Sequence, residues 1–212
     1  MSRATELAYE AAKETKFNFR DNHTIEVMDA SILWPDFTGR VTDYHKVLGE
    51  KRSFNIVIPD EMLEALRQME QVNGTKFRIH EFNVYSEQDV QTKGVQQIVG
   101  HYINVKVNMD NAFPPVVTLF TEYRGVKSKN TLHRETIGQL DSVDMEHADM
   151  VLNIYSSKMH PDFCTAYLKK LNVIQNPQVE FDGRYDDWED SRGDGEPQNL
   201  GNGINPATGE PY

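Results

Sequence analysis

The sequence predicts a mainly β fold with one inserted helix and an acidic, disordered C-terminal tail, and three observations carry that prediction. Short apolar or alternating segments recur between Ile25 and Ile174, punctuated by Gly, Pro, Asn and Asp. A single helical pattern interrupts them, so the strand–helix–strand alternation of a doubly wound fold is missing. Beyond Pro177 the chain is Gly, Pro, Asn and acids with almost no aliphatic residues. Such a composition cannot bury enough surface to offset the entropy of ordering it.

Residues 1 to 24 read as an N-terminal arm, with a short helix over Ala4 to Lys13 and a polar stretch at Lys16 to Arg20. Ile25, Val27 and Ala30 to Trp34 form a first strand stopped by Pro35-Asp36. Phe37 to Tyr44 resumes it, and Gly39 suggests a bend useful for closing a small barrel. After the turn Leu48-Gly49-Glu50, a second strand spans Arg52 to Ile58. Pro59-Asp60-Glu61 then opens a helix through about Gln71, with Met62, Leu63, Leu66 and Met69 on one face. Lys76 to Tyr85 alternates as a strand, and Ser86 to Gln97 is polar and expected to be a loop. In Gly100 to Asn108, Ile103, Val105 and Val107 face one way and Tyr102, Asn104, Lys106 and Asn108 the other. Strands at Val116 to Tyr123, Met150 to Tyr155 and Thr165 to Ile174 follow, separated by a basic loop at Gly125 to Thr131 and a polar linker at Glu135 to Asp149. An antiparallel β-barrel like an OB-fold, over residues 25 to 176, fits this order best.

The chain has 212 residues, 38% hydrophobic and 26% charged, and a net charge of −11. Residues 177 to 212 hold nine acids against Arg184 and Arg192, a net of −7, which leaves −4 to residues 1 to 176. The body is therefore only mildly acidic and has room for a local basic groove. No segment approaches the roughly 20 apolar residues of a membrane span, and no signal peptide is visible, so a soluble protein is expected. Cys164 is the sole cysteine, which rules out an intramolecular disulfide and a cysteine metal cage.

Three groups of residues could carry function. The Tyr102, Asn104 and Lys106 face offers an aromatic, an amide and an amine, which suits stacking on bases and pairing with phosphates. Trp34, Phe37, Arg40, Tyr44, Lys46, Lys51, Arg52 and Phe54 interleave aromatics and bases; Phe54 and one of Trp34 and Phe37 are expected in the core. Tyr123, Arg124, Lys127 and Lys129 form a basic loop around Gly125 suited to folding over a backbone. The carboxylates Asp141, Asp144, Glu146 and Asp149 raise a Mg²⁺-dependent nuclease as an alternative. They crowd into one linker, however, without a lysine at nuclease-like spacing. His133, His147 and His160 lack metal-ligand spacing, and there is no phosphate-binding glycine loop or nucleophile elbow. No enzyme, metal or cofactor is expected. In the tail, Asp186, Asp187, Trp188, Glu189 and Asp190 combine charge with an aromatic anchor, suiting a DNA mimic or a dock for partner proteins.

The runs Asp29-Ala30-Ser31-Ile32, Pro35-Asp36-Phe37-Thr38-Gly39 and Gly49 to Pro59 resemble the N-terminal half of bacteriophage single-stranded DNA-binding proteins of the OB-fold type. Tyr102 to Val107, Pro114 to Val117, Leu140-Asp141, Ala148 to Tyr155 and Thr165 to Leu171 follow in the order that family shows. The resemblance implies coating and protection of single-stranded DNA with little sequence preference, in phage replication, recombination and repair, in the cytoplasm of the infected bacterium. It also implies an acidic tail that meets replication or recombination proteins. Here the densest acids precede the closing Gly209-Glu210-Pro211-Tyr212, and the N-terminal arm and the 86–97 insertion depart from the pattern; they are candidates for lengthening the DNA path or for self-association. The competing reading is an OB-fold interaction module that does not touch DNA.

Overall fold

The computed structural model describes residues 2–39, 51–73, 76–123, 126–156 and 163–176. Among them, eleven strands join one sheet: β1 (Lys16–Asp21), β2 (Thr24–Met28), β3 (Ile32–Asp36), β4 (Arg52–Ile58), β5 (Lys76–Phe77), β6 (Ile79–Asn83), β7 (Val99–Val107), β8 (Val116–Tyr123), β9 (Val126–Leu132), β10 (Met145–Ser156) and β11 (Phe163–Gln175). The main path runs β1-β2-β10-β11-β7-β4-β3, while β5, β6, β8 and β9 branch from it. The architecture is mainly β and OB-like, as the sequence predicts, with an open path. It is not wholly antiparallel: β11 pairs in parallel with β5, β7 and β8.

The inward faces follow the alternation read from the sequence. Ile103, Val105 and Val107 of β7, Phe54 and Ile56 of β4, Leu152 and Ile154 of β10 and Leu171 and Val173 of β11 share one core. Helix α2 (Asp60–Asn73) adds Met62, Leu63 and Leu66 to it, the face the 3.6-residue period selects. Glu70 fixes the exit from that helix by accepting the Phe77 N–H at 2.7 Å.

Several elements differ from expectation. In the stretch read as an arm, the expected helix is α1 (Ser2–Ala12), but the polar segment after it is strand β1, which is hydrogen-bonded to β2 across a tight turn. In that turn the His23 N–H donates to Asp21 Oδ1 at 2.7 Å, and this bond holds the Asp21 carboxyl below its ordinary pKa. Phe17 and Phe19 alternate with Lys16, Asn18 and Arg20, and the two rings pack on the core. The expected strand from Ile25 to Trp34 is two strands, divided at Asp29. That residue has φ 52° and three anchors: its N–H donates to Asp149, its carbonyl accepts from the Thr15 hydroxyl, and its carboxylate meets His147 Nδ1 at 2.7 Å. Pro35 lies within β3 instead of stopping it.

The 86–97 loop contains helix α3 (Glu87–Lys93), capped by the Ser86 hydroxyl on the Asp89 N–H and closed by Gly94 at φ 64°. It buries no residue, so no periodicity announced it. The basic loop after Gly125 is instead strand β9, paired to β8. The linker 135–149 is a 3₁₀ turn, Ile137–Ser142, followed by the start of β10, with Ile137 and Leu140 fully in the core.

That turn explains the acidic cluster. Asp141 accepts hydrogen bonds from the Phe37 N–H at 2.8 Å, the Thr38 N–H at 2.9 Å and the Thr38 hydroxyl at 2.7 Å, pinning the end of β3 across the sheet. Asp149 holds Asp29 as described. Among the described residues no three His, Cys, Asp or Glu side chains group as a metal site. The three hydrogen bonds that Asp141 accepts give it a structural role, and Asp141→Ala should lower unfolding free energy by about 1.5–3 kcal/mol, the range for hydrogen bonds to a charged acceptor. Urea melts with and without Mg²⁺ test this; the deficit is expected to be the same in both.

Candidate nucleic-acid interface

The outward face of the sheet is built from the residues that alternate with the core. On β7 these are Tyr102, Asn104 and Lys106; the β4 register places Val57, Asn55 and Ser53 opposite them. On β11 and β10 the same side carries Thr165, Tyr167, Asn153 and Tyr155. Tyr167 pairs with Lys106 across the parallel ladder, so the face is continuous from β4 to β10.

One end of this face is covered. Ala8 and Ala12 of α1 pack on Leu33, Val57, Phe82 and Val84, a second apolar cluster outside the main core. Two bonds seat the helix, from the Thr5 hydroxyl to the Val84 carbonyl and from the Ser31 hydroxyl to the Ala8 carbonyl, at 2.9 and 2.8 Å. Among the described residues, the face is open beyond the helix.

At the boundary stands an aromatic group. Trp34 is 46% exposed and meets Tyr102 edge-on at 5.4 Å and Phe82 at 6.2 Å, while His80 stacks on Tyr102 at 5.1 Å and 18°. Trp34 adopts φ 48°, a conformation rare for a bulky residue, at a register shift between Leu33 and Asp36. The extra residue lets Trp34 leave the β3 alternation and join the open face. Holding such a dihedral costs on the order of 1–3 kcal/mol and requires support from the surroundings. Gly100 supplies part of that support through its missing side chain: a Cβ there would lie 2.5 Å from the Phe82 ring.

Further along, cations alternate with rings. Arg78 lies over Phe163 at 5.0 Å, and Lys106 lies over Tyr167 at 5.8 Å, itself 6.1 Å from Tyr155. A bulge between Val151 and Leu152 of β10 leaves Lys169 as the extra residue on β11, so Lys169 and Lys170 are both exposed. Two hollows flank the Lys106–Tyr167 pair. The smaller, about 330 Å³, includes Asn55, Arg78, His80, Tyr102 and Asn104 in its lining. The larger, about 1040 Å³, includes Phe113, Tyr155, Tyr167, Lys169 and Lys170, with Phe113 91% exposed. The face continues onto β8, where Val116 is level with Lys170 and Phe120 with Ile174; Lys129 of β9 lies over Phe120 at 5.8 Å.

The structure thus brings Trp34, Tyr102, Asn104 and Lys106 together, and Lys127 and Lys129 follow on the β8–β9 ribbon, where Lys127 also pairs with Glu122 at 3.6 Å. Lys51 is exposed just before β4. Of Trp34 and Phe37, one was expected in the core, and Phe37 is that one, so it and Arg52 are removed from the expected contacts. Phe37 is fully buried against Phe54, and Arg52 is 7% exposed, its guanidinium donating to the Phe37 and Arg134 carbonyls. Both sit on the inward side, where nothing in solution reaches them. Tyr123 ends β8, and Arg40, Tyr44, Lys46, Arg124 and the tail residues Asp186, Asp187, Trp188, Glu189 and Asp190 lie outside the described residues.

Sequence reading missed Arg78, His80, Phe113, Tyr155, Phe163, Tyr167, Lys169 and Lys170. The signal for part of them was present: Phe163, Thr165, Tyr167 and Lys169 recur with period 2, as does Asn153 with Tyr155.

A family model described as "Putative phage ssDNA-binding domain" matches residues 14–207. The chain belongs to that family. The match begins before β1 and reaches into the acidic segment beyond Pro177. Among solved structures, the single-stranded DNA-binding protein from bacteriophage Enc34 is similar at 13% identity and TM-score 0.40, covering 81% of this chain and 95% of that one. The same phage protein in complex with ssDNA gives 14% and 0.39, covering 80% and 99%. No curated protein matches the chain.

For this member of the phage ssDNA-binding family, Gly100 is a sensitive point behind the aromatic group. Gly100→Val should displace Phe82, change the near-ultraviolet circular dichroism of the Trp34 cluster and destabilise by about 1–3 kcal/mol, as overpacking does. An unchanged aromatic spectrum would show that Phe82 is not held by this contact.

Proposed function

We propose that this protein coats single-stranded DNA, with little sequence preference and without chemistry on the strand. The observation that carries this is the open outward face: Trp34, Tyr102, Phe163, Tyr167 and Tyr155 interleaved with Arg78, Lys106, Lys169 and Lys170, in a chain of the phage ssDNA-binding family. Each base has a π face, so ring stacking accepts every base and contributes about 1–3 kcal/mol per base, while the cations meet the backbone. The larger hollow and the β8–β9 ribbon extend the track for the strand.

In this reading residues 25 to 176 form the binding domain. The 177–212 segment, with its net −7, competes for the basic face and docks replication or recombination proteins. The setting is phage DNA replication, recombination and repair in the cytoplasm of the infected bacterium.

The test is an anisotropy titration of labelled oligo-dT at two salt concentrations, with the full chain and with a chain ending at Asn176. Affinity should fall steeply with salt and rise on truncation; absence of binding by either protein at low salt would sink the reading. Within the same assay, Trp34→Gly should weaken binding by about 5- to 150-fold, the equivalent of one lost stack. Because glycine accepts the positive φ, thermal melts should show a smaller loss than for Trp34→Val.

A further inference from the structure

We propose that Asn55 and Asn104 form a seat for the Watson–Crick edge of one unpaired nucleobase, an inference that rests on the DNA-coating reading above. The two residues are direct cross-strand partners on the open face, both half-buried. The Asn104 Nδ2 donates to Asn55 Oδ1 at 2.9 Å and reaches the Phe54 carbonyl at 3.4 Å. These bonds occupy the donor end of one amide and the acceptor end of the other. An amide has one acceptor oxygen and two N–H donors, so Asn104 Oδ1 remains as an acceptor and Asn55 Nδ2 as a donor on two cross-strand partners.

That pattern fits a base edge without selecting among bases. Adenine and cytosine each place an exocyclic N–H beside a ring nitrogen acceptor; guanine and thymine each place a ring N–H beside a carbonyl. A fixed acceptor–donor pair meets all four, with the base turned one way or the other. Because the amides are already tied together, little rotamer freedom is lost when a base arrives.

The surroundings supply the rest of the seat. Both amides line the 330 Å³ hollow, a volume at the lower end of small-ligand pockets, about 300–1,000 Å³. Tyr102, already stacked with His80, forms a ring wall, and Arg78 and Lys106 line the same hollow as phosphate partners. In a duplex the edge atoms are taken by the opposite strand. The seat therefore separates unpaired from paired DNA while ignoring sequence.

The test uses the intact full-length protein. Oligo-dT is compared with an oligomer of the same length in which every thymine carries a methyl group on N3. This keeps phosphates and ring faces, and replaces the N–H that Asn104 Oδ1 would accept. Methylation should weaken binding by about five- to thirtyfold, the cost of leaving such groups unpaired. Asn55→Leu should weaken oligo-dT binding and bring the ratio between the two oligomers towards one. Equal affinity of the unaltered protein for both oligomers, or a ratio unmoved by Asn55→Leu, overturns the seat while salt-sensitive coating stands. No binding to either oligomer overturns the coating reading itself.

Discussion

Strand β11 is the constraint on which the rest of the fold depends. A strand of 13 residues must find partners for its backbone groups on both edges, because an unpaired N–H or C=O away from water is costly. On one edge β10 satisfies nearly its whole length in a single antiparallel ladder. On the other edge the partners come in relay: β5 at Phe163–Cys164, β7 at Ala166–Tyr167 and β8 at Lys170–Ile174, all parallel. Three short partners diverge where one long partner would keep a flat sheet. The handover from β7 to β8 falls at the bulge that adds Lys169. Tyr167, Lys169 and Lys170 thus gather next to Lys106 because the sheet changes partner there, and the larger hollow lies at that same seam.

The outward face owes its openness to the short reach of α1. The helix covers Val57 and Leu33, which would otherwise expose apolar sheet, and leaves uncovered the side chains with a polar handle or an aromatic ring. Below the sheet the same strands are held by an aliphatic core, so the two faces divide labour along each strand. Asp141 and Asp149 stabilise the places where that division needs irregular backbone, the exit of β3 and the left-handed Asp29.

How much of this was legible follows from which residues carry local signals. The β4 and β7 strands and helix α2 were readable because each has one apolar face, with period 2 or 3.6, set against the single core. Helix α3 was hidden since it buries nothing and is held by local contacts, the Ser86 cap, the Asp89–Lys93 ion pair and the Gly94 stop; β9 was hidden because six of its seven residues are exposed. For the site, Tyr102, Asn104 and Lys106 were legible from alternation on one strand. Composition does not say which side of the sheet a residue takes, so it left open which of Trp34 and Phe37 is core and misled at Arg52; the register decided it, since Arg52 sits opposite Val107, in an inward row. Arg78, His80 and Tyr167 belong to the site only through long-range pairing, which no local pattern encodes.

The charge of the whole chain, −11, and the character of its open face point in opposite directions, and the contrast has a physical use. Ions screen exposed charges over about 8–10 Å at ordinary salt, so a phosphate on the outward face responds to Lys106, Lys169 and Lys170 far more than to distant acids. Net negative charge keeps copies of the protein, and nucleic acid in general, apart at longer range. In the proposed coating role, a strand would be held only where rings and cations coincide within a few ångströms. That requirement would favour an unstacked strand, whose bases are free to lie on Trp34, Tyr102 and Tyr167, over a duplex whose faces are already stacked on one another. Selectivity of this kind needs no base-specific contact, since it arises from which surfaces the nucleic acid has available.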